Sequence, residues 1–287
     1  MKIAISAEST IDIPQELLDK YNIYTIPFGI TFDGELKQDK FGISEEIFEF
    51  VDKTKTLPKT SAIAPAEYKE YFENLKKNYD AVIHFSLSSQ LSSSCGSAKM
   101  VAQELDNVYV VDTKTLSTGI ALLAIYAREL ADKNLDAKDI YDLCNEMTEK
   151  VQASFVIEKL NYLHKGGRCS ALTLLGANIL KIKPQIVVNN GKMVVGKKYV
   201  GAHTKCVEKY CDELLEQYPN ADKKYVFITR SSPMTELVDK LKEKLKASGF
   251  ENIYDTMAGG TISSHCGPNC LGVLFLNQEK LFENKSE

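Results

Sequence analysis

Ala81-Val82-Ile83-His84-Phe85-Ser86-Leu87-Ser88-Ser89-Gln90-Leu91-Ser92-Ser93-Ser94 is the stretch that decides the fold. Residues 80–85 form a short apolar run bounded by polar residues, the pattern of a buried strand. Six serines follow within nine positions, and a helical pattern then runs to about residue 105. A second β-rich run at 108–111 and helical patterns at 116–133 and 137–152 continue the alternation. Strands alternating with helices imply a parallel sheet covered on both faces. In such sheets ligands bind beyond the C-terminal ends of the strands, where this serine loop lies.

The same alternation extends back to the first residues. Residues 2–6 read as a strand and 13–21 as a helix, with Asp12 placed to cap it and Pro14 in its first turn. A strand at 23–28 is followed by an Asp33-Gly34 turn, a small excursion, and a helix that Ser44 should cap. Tyr68, Tyr71, Phe72 and Leu75 fall at i, i+3, i+4 and i+7, one face of a further helix.

Beyond residue 152 the pattern changes. A helical stretch ends at Gly166-Gly167, and residues 171–180 are apolar nearly all round, the mark of a segment buried on several sides. Runs at 185–188 and 192–195 flank Asn189-Asn190-Gly191, a strong hairpin signal. Helix, strand, helix and strand follow at 204–217, 225–229, 234–248 and 271–276. The expected fold is therefore α/β with two domains, a parallel-sheet domain at 1–152 and an α+β domain at 153–287.

Composition narrows the function. The 287 residues are 44% hydrophobic and 26% charged, with a formal charge of −4, and no run forms the concentrated basic face that a nucleic-acid partner requires. The chain enters a strand pattern at once, and its apolar run at 119–127 is too short to span a bilayer, so a cytoplasmic location is expected. Seven cysteines, an odd number, fit a reducing compartment better than a disulfide framework.

Four elements could carry chemistry. The serine loop offers hydroxyls and free backbone N–H groups at a helix start, which favour an anion such as a phosphate or carboxylate. Its plainer reading is a helix cap and turn. Thr60-Ser61 is a second hydroxyl pair, at a loop-to-helix transition before Pro65. Arg168 follows the paired glycines, where a guanidinium binds a carboxylate or phosphate or makes a surface ion pair. His265 lies in a small, glycine-rich segment, 259–268, read as a loop before the last strand. Cys206, Cys211, Cys266 and Cys270 make a crude metal set, but their spacing is not that of a zinc knuckle. Ser92 with His265 would suit an acyl hydrolase or thioesterase, yet no G-x-S-x-G elbow and no acidic orienter accompany them. Glycine-rich nucleotide loops are absent.

Taken together, these segments resemble the DegV family over almost the whole chain. The resemblance rests on Glu8-Ser9-Thr10 with Asp12, Thr60-Ser61, Ser88-Ser89-x-Leu91-Ser92, Val111-Asp112-Thr113, Gly166-Gly167-Arg168, Ile182-Lys183-Pro184 with Gly191, and His265-x-Gly267-Pro268. It implies a lipid-binding carrier with no catalysis or metal of its own, holding a long-chain fatty acid between the domains. It further implies a separate fatty acid kinase subunit that phosphorylates the bound carboxylate for phospholipid synthesis, and passing contact with a membrane surface for lipid exchange. A lipid sensor without kinase coupling is the alternative. By position, Thr60, Ser92 and His265 would contact the carboxylate, with Arg168, Ser61 and Ser93 in support. Departures from the family pattern are Glu8 for aspartate, Ser93-Ser94 for Gly-Thr, Asn269 for glycine, and Val200 for an arginine.

Overall fold

The structure, a computed structural model, describes residues 1–169 and 182–281. It opens with β1 (Ile3–Glu8), α1 (Gln15–Lys20), β2 (Ile23–Ile26), β3 (Gly29–Phe32), β4 (Glu35–Gln38), α2 (Ser44–Thr54) and β5 (Lys59–Ser61). Next come α3 (Pro65–Lys76), β6 (Ala81–Ser86), α4 (Ser94–Ala102), β7 (Val108–Asp112), α5 (Thr118–Asp132) and α6 (Ala137–Met147). The second half adds β8 (Val151–Gln152), β9 (Ser154–Val156), α7 (Leu160–Gly166), β10 (Ile182–Asn189), β11 (Lys192–Val200) and α8 (His203–Gln217). It ends with β12 (Ala221–Arg230), α9 (Thr235–Ala247), β13 (Asn252–Met257), α10 (Gly260–Cys266) and β14 (Leu271–Asn277).

The first sheet is parallel, in the order β2-β1-β6-β7, with Ile3 opposite Ala81 and Ala7 opposite Phe85. From β1 the chain goes first to one side and then to the other, so a topological switch point lies between the ends of β1 and β6. Glu8 and Ser86 occupy those ends. A mixed sheet in the order β11-β10-β9-β14-β12-β13 forms the second half, and β8 also pairs with β14. The Asn190-Gly191 turn between β10 and β11 has φ of 45° and 82°, the left-handed region that the sequence pair anticipates.

The apolar run at 119–127 finds its place in α5. This helix touches β1 and β6 on one side and β8, β12 and β14 on the other, so it is wedged between the two sheets and buried nearly all round. One core continues through it from Ile5 and Phe85 to Phe227 and Leu274. On the far face of the mixed sheet, α8 and α9 bury a second core around Tyr210, Leu241 and Phe275. A third, small core of Ile30, Phe32, Ile43, Ile47, Val51 and Tyr162 lies under an antiparallel sheet of order β4-β3-β5.

Several local expectations are corrected. The helix expected to reach residue 152 ends at Met147, and Val151–Gln152 is already a strand of the mixed sheet. The strand β13, at the edge of that sheet and mostly half-buried, lacks the apolar alternation that would reveal it. Thr60 and Ser61 are not in a loop but in β5, paired with β3. Asp12 and Ser44 do not cap the helices that follow them, whose N-caps are Pro14 for α1 and Ile43 for α2. Asp12 adopts φ 55°, and its carboxylate accepts the Ser117 hydroxyl at 2.5 Å and the Gly259 N–H at 2.8 Å. The Ser44 hydroxyl donates to the Ala258 carbonyl at 2.7 Å. In both cases the buried backbone of a segment more than 200 residues away takes the polar group the local pattern assigned to a cap. The apolar stretch 171–180 lies outside the described residues.

Candidate functional site

A cavity of about 200 Å³ opens where the three sheets meet. Leu87, Leu91, Leu116, Phe155, Met193 and Leu274 give it apolar walls. Thr60, Ser61, Ser92, Ser93, Arg168 and His265 all line it, so the six residues singled out by sequence share one cavity.

Each arrives there by a different local device. Thr60 and Ser61 come from β5, held by pairing of Ile30 with Thr60 and Gly29 with Ser61. The serine loop springs from the C-terminal end of β6. Its Ser88 hydroxyl donates to the Gly191 carbonyl of the β10–β11 turn at 2.8 Å, tying the loop to the mixed sheet. Ser92 Oγ accepts the Ser94 N–H at 3.2 Å as α4 begins. Arg168 follows Gly167, which ends α7 with φ 70°. Its guanidinium donates to the Gly166 carbonyl at 2.8 Å and reaches the Leu91 carbonyl at 3.5 Å, next to Ser92.

His265 is not in a loop. It occupies the last turn of α10, because 260–266 closes into a short helix before the Gly267 turn. Its Nε2 lies 2.9 Å from Thr60 Oγ1, while Nδ1 is buried with no hydrogen-bond partner among the described residues. The ring packs so closely on α7 that a Cβ at Gly166 would stand 2.5 Å from Nδ1. This contact explains a glycine where the backbone itself has no need of one.

Burial, with a smaller effect from the Arg168 guanidinium, pushes the His265 imidazole down to about 4. At neutral pH the ring is therefore uncharged in the ligand-free protein. Above about 6.5, the unfolded value, neither state binds the proton and the full stability is present. As the pH falls from there towards about 4 the unfolded chain takes up a proton that the native ring refuses, so stability drops across that window. The whole loss is at most about 3 kcal/mol. Urea denaturation at pH 7.5 and 4.5 should show His265→Gln losing less stability than the native chain over this range; equal losses would mean the ring is not buried neutral.

The geometry differs from that of a Ser-His-acid triad. The imidazole bonds Thr60, and among the described residues no carboxylate hydrogen-bonds Nδ1. Cys266 and Cys270 line the cavity, whereas Cys206 and Cys211 sit in the second core. Among the described residues no group of three His, Cys, Asp or Glu side chains is placed to hold a metal ion. No helix among them is long and apolar enough to cross a membrane.

Sequence reading missed part of the lining: Ser117, Thr229, Arg230, Ser231 and Thr261. Arg230 sits at the end of β12, where a crevice is expected, and that position was the available signal. Its guanidinium is already committed, with Asp255 taking Nε at 2.8 Å and Nη2 at 3.1 Å.

Fold and cavity together define an α/β protein with an apolar cavity where its sheets meet and a cluster of hydroxyls, guanidinium and imidazole on the cavity wall. Residues 2–278 match the family described as uncharacterised protein, DegV family, and the chain belongs to that family. It is 29% identical over 279 residues to a fatty acid-binding protein of Thermotoga maritima, covering 95% of this chain and 96% of that one. The crystal structure of a DegV lipid binding protein from Thermotoga maritima matches with a TM-score of 0.85 at 29% identity, over 98% of this chain and 100% of the other. The fatty acid kinase (Fak) B3 protein of Streptococcus pneumoniae, solved loaded with linoleic acid, shares the fold at a TM-score of 0.82 and 18% identity, over 97% and 100% of the two chains.

Proposed function

We propose that this protein binds a long-chain fatty acid in the cavity and presents its carboxylate to a separate kinase subunit, which forms the acyl phosphate used in phospholipid synthesis. The observation that carries the reading is the Thr60–His265 pair set in the wall of an apolar chamber, with Arg168 beside it. A carboxylate in such surroundings needs several donors, and Thr60, Ser92 and His265 supply them, with Ser61, Ser93 and Arg168 in support. The acyl tail supplies the affinity. Some fifteen methylenes at ~0.8 kcal/mol each give a gross contribution near 12 kcal/mol before ordering costs. The relatives named for fatty acid and lipid binding support the ligand class, and the Fak B3 protein supports the kinase partnership.

The protein itself is proposed to carry no catalytic step. Protein purified under native conditions and extracted into organic solvent is expected to yield a long-chain fatty acid at near one per chain by mass spectrometry. An empty extract, repeated after incubation with a range of fatty acids, would remove the carrier reading. Copurification with a kinase subunit, and acyl phosphate formed only when both proteins and ATP are present, would separate the presenting role from that of a lipid sensor.

A further inference from the structure

The helix that carries His265 in its last turn is held at its other end by two buried carboxylates. Asp39, just beyond β4 and 4% exposed, accepts the Gly260 N–H on Oδ1 at 2.6 Å and the Ser9 hydroxyl on Oδ2 at 2.9 Å. Asp12, 2% exposed, takes the adjacent Gly259 N–H. Ser44 completes the seat, bonding both the Ala258 carbonyl and, at 2.8 Å, the Ser263 hydroxyl.

These contacts press the start of α10 onto the small sheet. A Cβ on Gly260 would lie 2.3 Å from Ile30 Cδ1, 2.5 Å from Ile43 Cγ2 and 3.0 Å from Asp39 Oδ1. Ile30 in turn stands opposite Thr60 in the β3–β5 pairing. One small sheet therefore carries both the strand of Thr60 and the seat of the helix that bears His265. Asp39 itself is fixed to that sheet, since its N–H donates to the Phe28 carbonyl at 2.8 Å. From Gly260 to His265 the helix rises only about 7.5 Å, so a shift at its first residue is carried to the imidazole.

We propose that Asp39, with Asp12 beside it, is a positioning residue for the carboxylate site: it sets α10 in register on the small sheet and thereby holds His265 against Thr60. This rests on the reading of the Thr60–His265 pair as the carboxylate contact. Asp39 is not itself among the residues that line the cavity, and it acts on the imidazole through the helix.

The test is a double-mutant cycle with fatty-acid affinity as its first readout. Asp39→Ala is expected to weaken binding about tenfold in the native background and less than about twofold when His265→Ala is already present. Asp39→Asn keeps an oxygen for the Gly260 N–H but loses the charge, so a loss of about threefold with the same background dependence is expected. It decides the matter alone if the alanine variant does not fold. Equal losses in both backgrounds would overturn the proposal. The second readout is the imidazole NMR titration of His265 in ligand-free protein, which should move from about 4 towards the ordinary histidine range in Asp39→Ala. An unmoved titration in a folded alanine variant would also overturn it. If the native protein binds no fatty acid, the carrier reading fails, while this titration still tests the positioning.

Discussion

Glu8→Ala is expected to lower the stability of this protein by about 3–5 kcal/mol, because it leaves three buried donors without their acceptor. Glu8 is completely buried at the end of β1. Its carboxylate accepts the Tyr68 hydroxyl at 2.6 Å, the Ser86 hydroxyl at 2.5 Å and the Leu87 N–H at 2.5 Å, with Thr10 at 3.5 Å. Alanine leaves these donors without an acceptor in a place that has no exposed surface, and each orphaned group costs about 1–3 kcal/mol. The Leu87 N–H matters most for function, because Leu87 lines the cavity and opens the serine loop. Urea unfolding should show a lower midpoint with little change in slope. A loss below about 1 kcal/mol would mean that water enters and replaces the carboxylate. Glu8→Gln keeps the volume but turns an NH₂ group towards donors, so a smaller destabilisation in the same direction is expected.

The second large effect concerns the ligand. His265→Ala should weaken fatty-acid binding about 10- to 100-fold, equivalent to losing one hydrogen bond to a charged group at about 1.5–3 kcal/mol. The fold should survive, since the ring lies at the cavity surface and the contacts that seat α10 are at its opposite end. Ser92→Ala removes a neutral hydroxyl and should cost less, about 2- to 10-fold. Displacement of a fluorescent fatty acid measures both. Native affinity in both variants would remove Ser92 and His265 from the carboxylate site, and the cavity would then bind its ligand in another orientation.

Arg168 illustrates how far sequence reading of this site could go. Its position after Gly166-Gly167 was legible, because a helix that ends in a left-handed glycine leaves a recognisable pair. That its guanidinium would reach the Leu91 carbonyl, beside Ser92, was not legible, since the two residues are 77 positions apart. The same division holds for Ser117 and Thr229, which look like ordinary turn and strand residues. Each gains a place on the cavity only because α5 and β12 come together there.

What the sequence determined by itself were features encoded within about ten residues of one another. The apolar run read at 80–85 made the parallel strand Ala81–Ser86, Asn190-Gly191 made a hairpin, and the apolar run at 119–127 became a helix buried nearly all round. Periodicity and turn chemistry act locally, so they can be read locally. The tertiary structure alone decided where buried polar groups find their partners. Asp12 and Ser44 left their expected cap positions to bond Gly259 and Ala258, and Thr60 met His265 across 205 positions of chain. A buried donor or acceptor takes whichever partner the packed core brings within reach, and that choice has no period in the sequence.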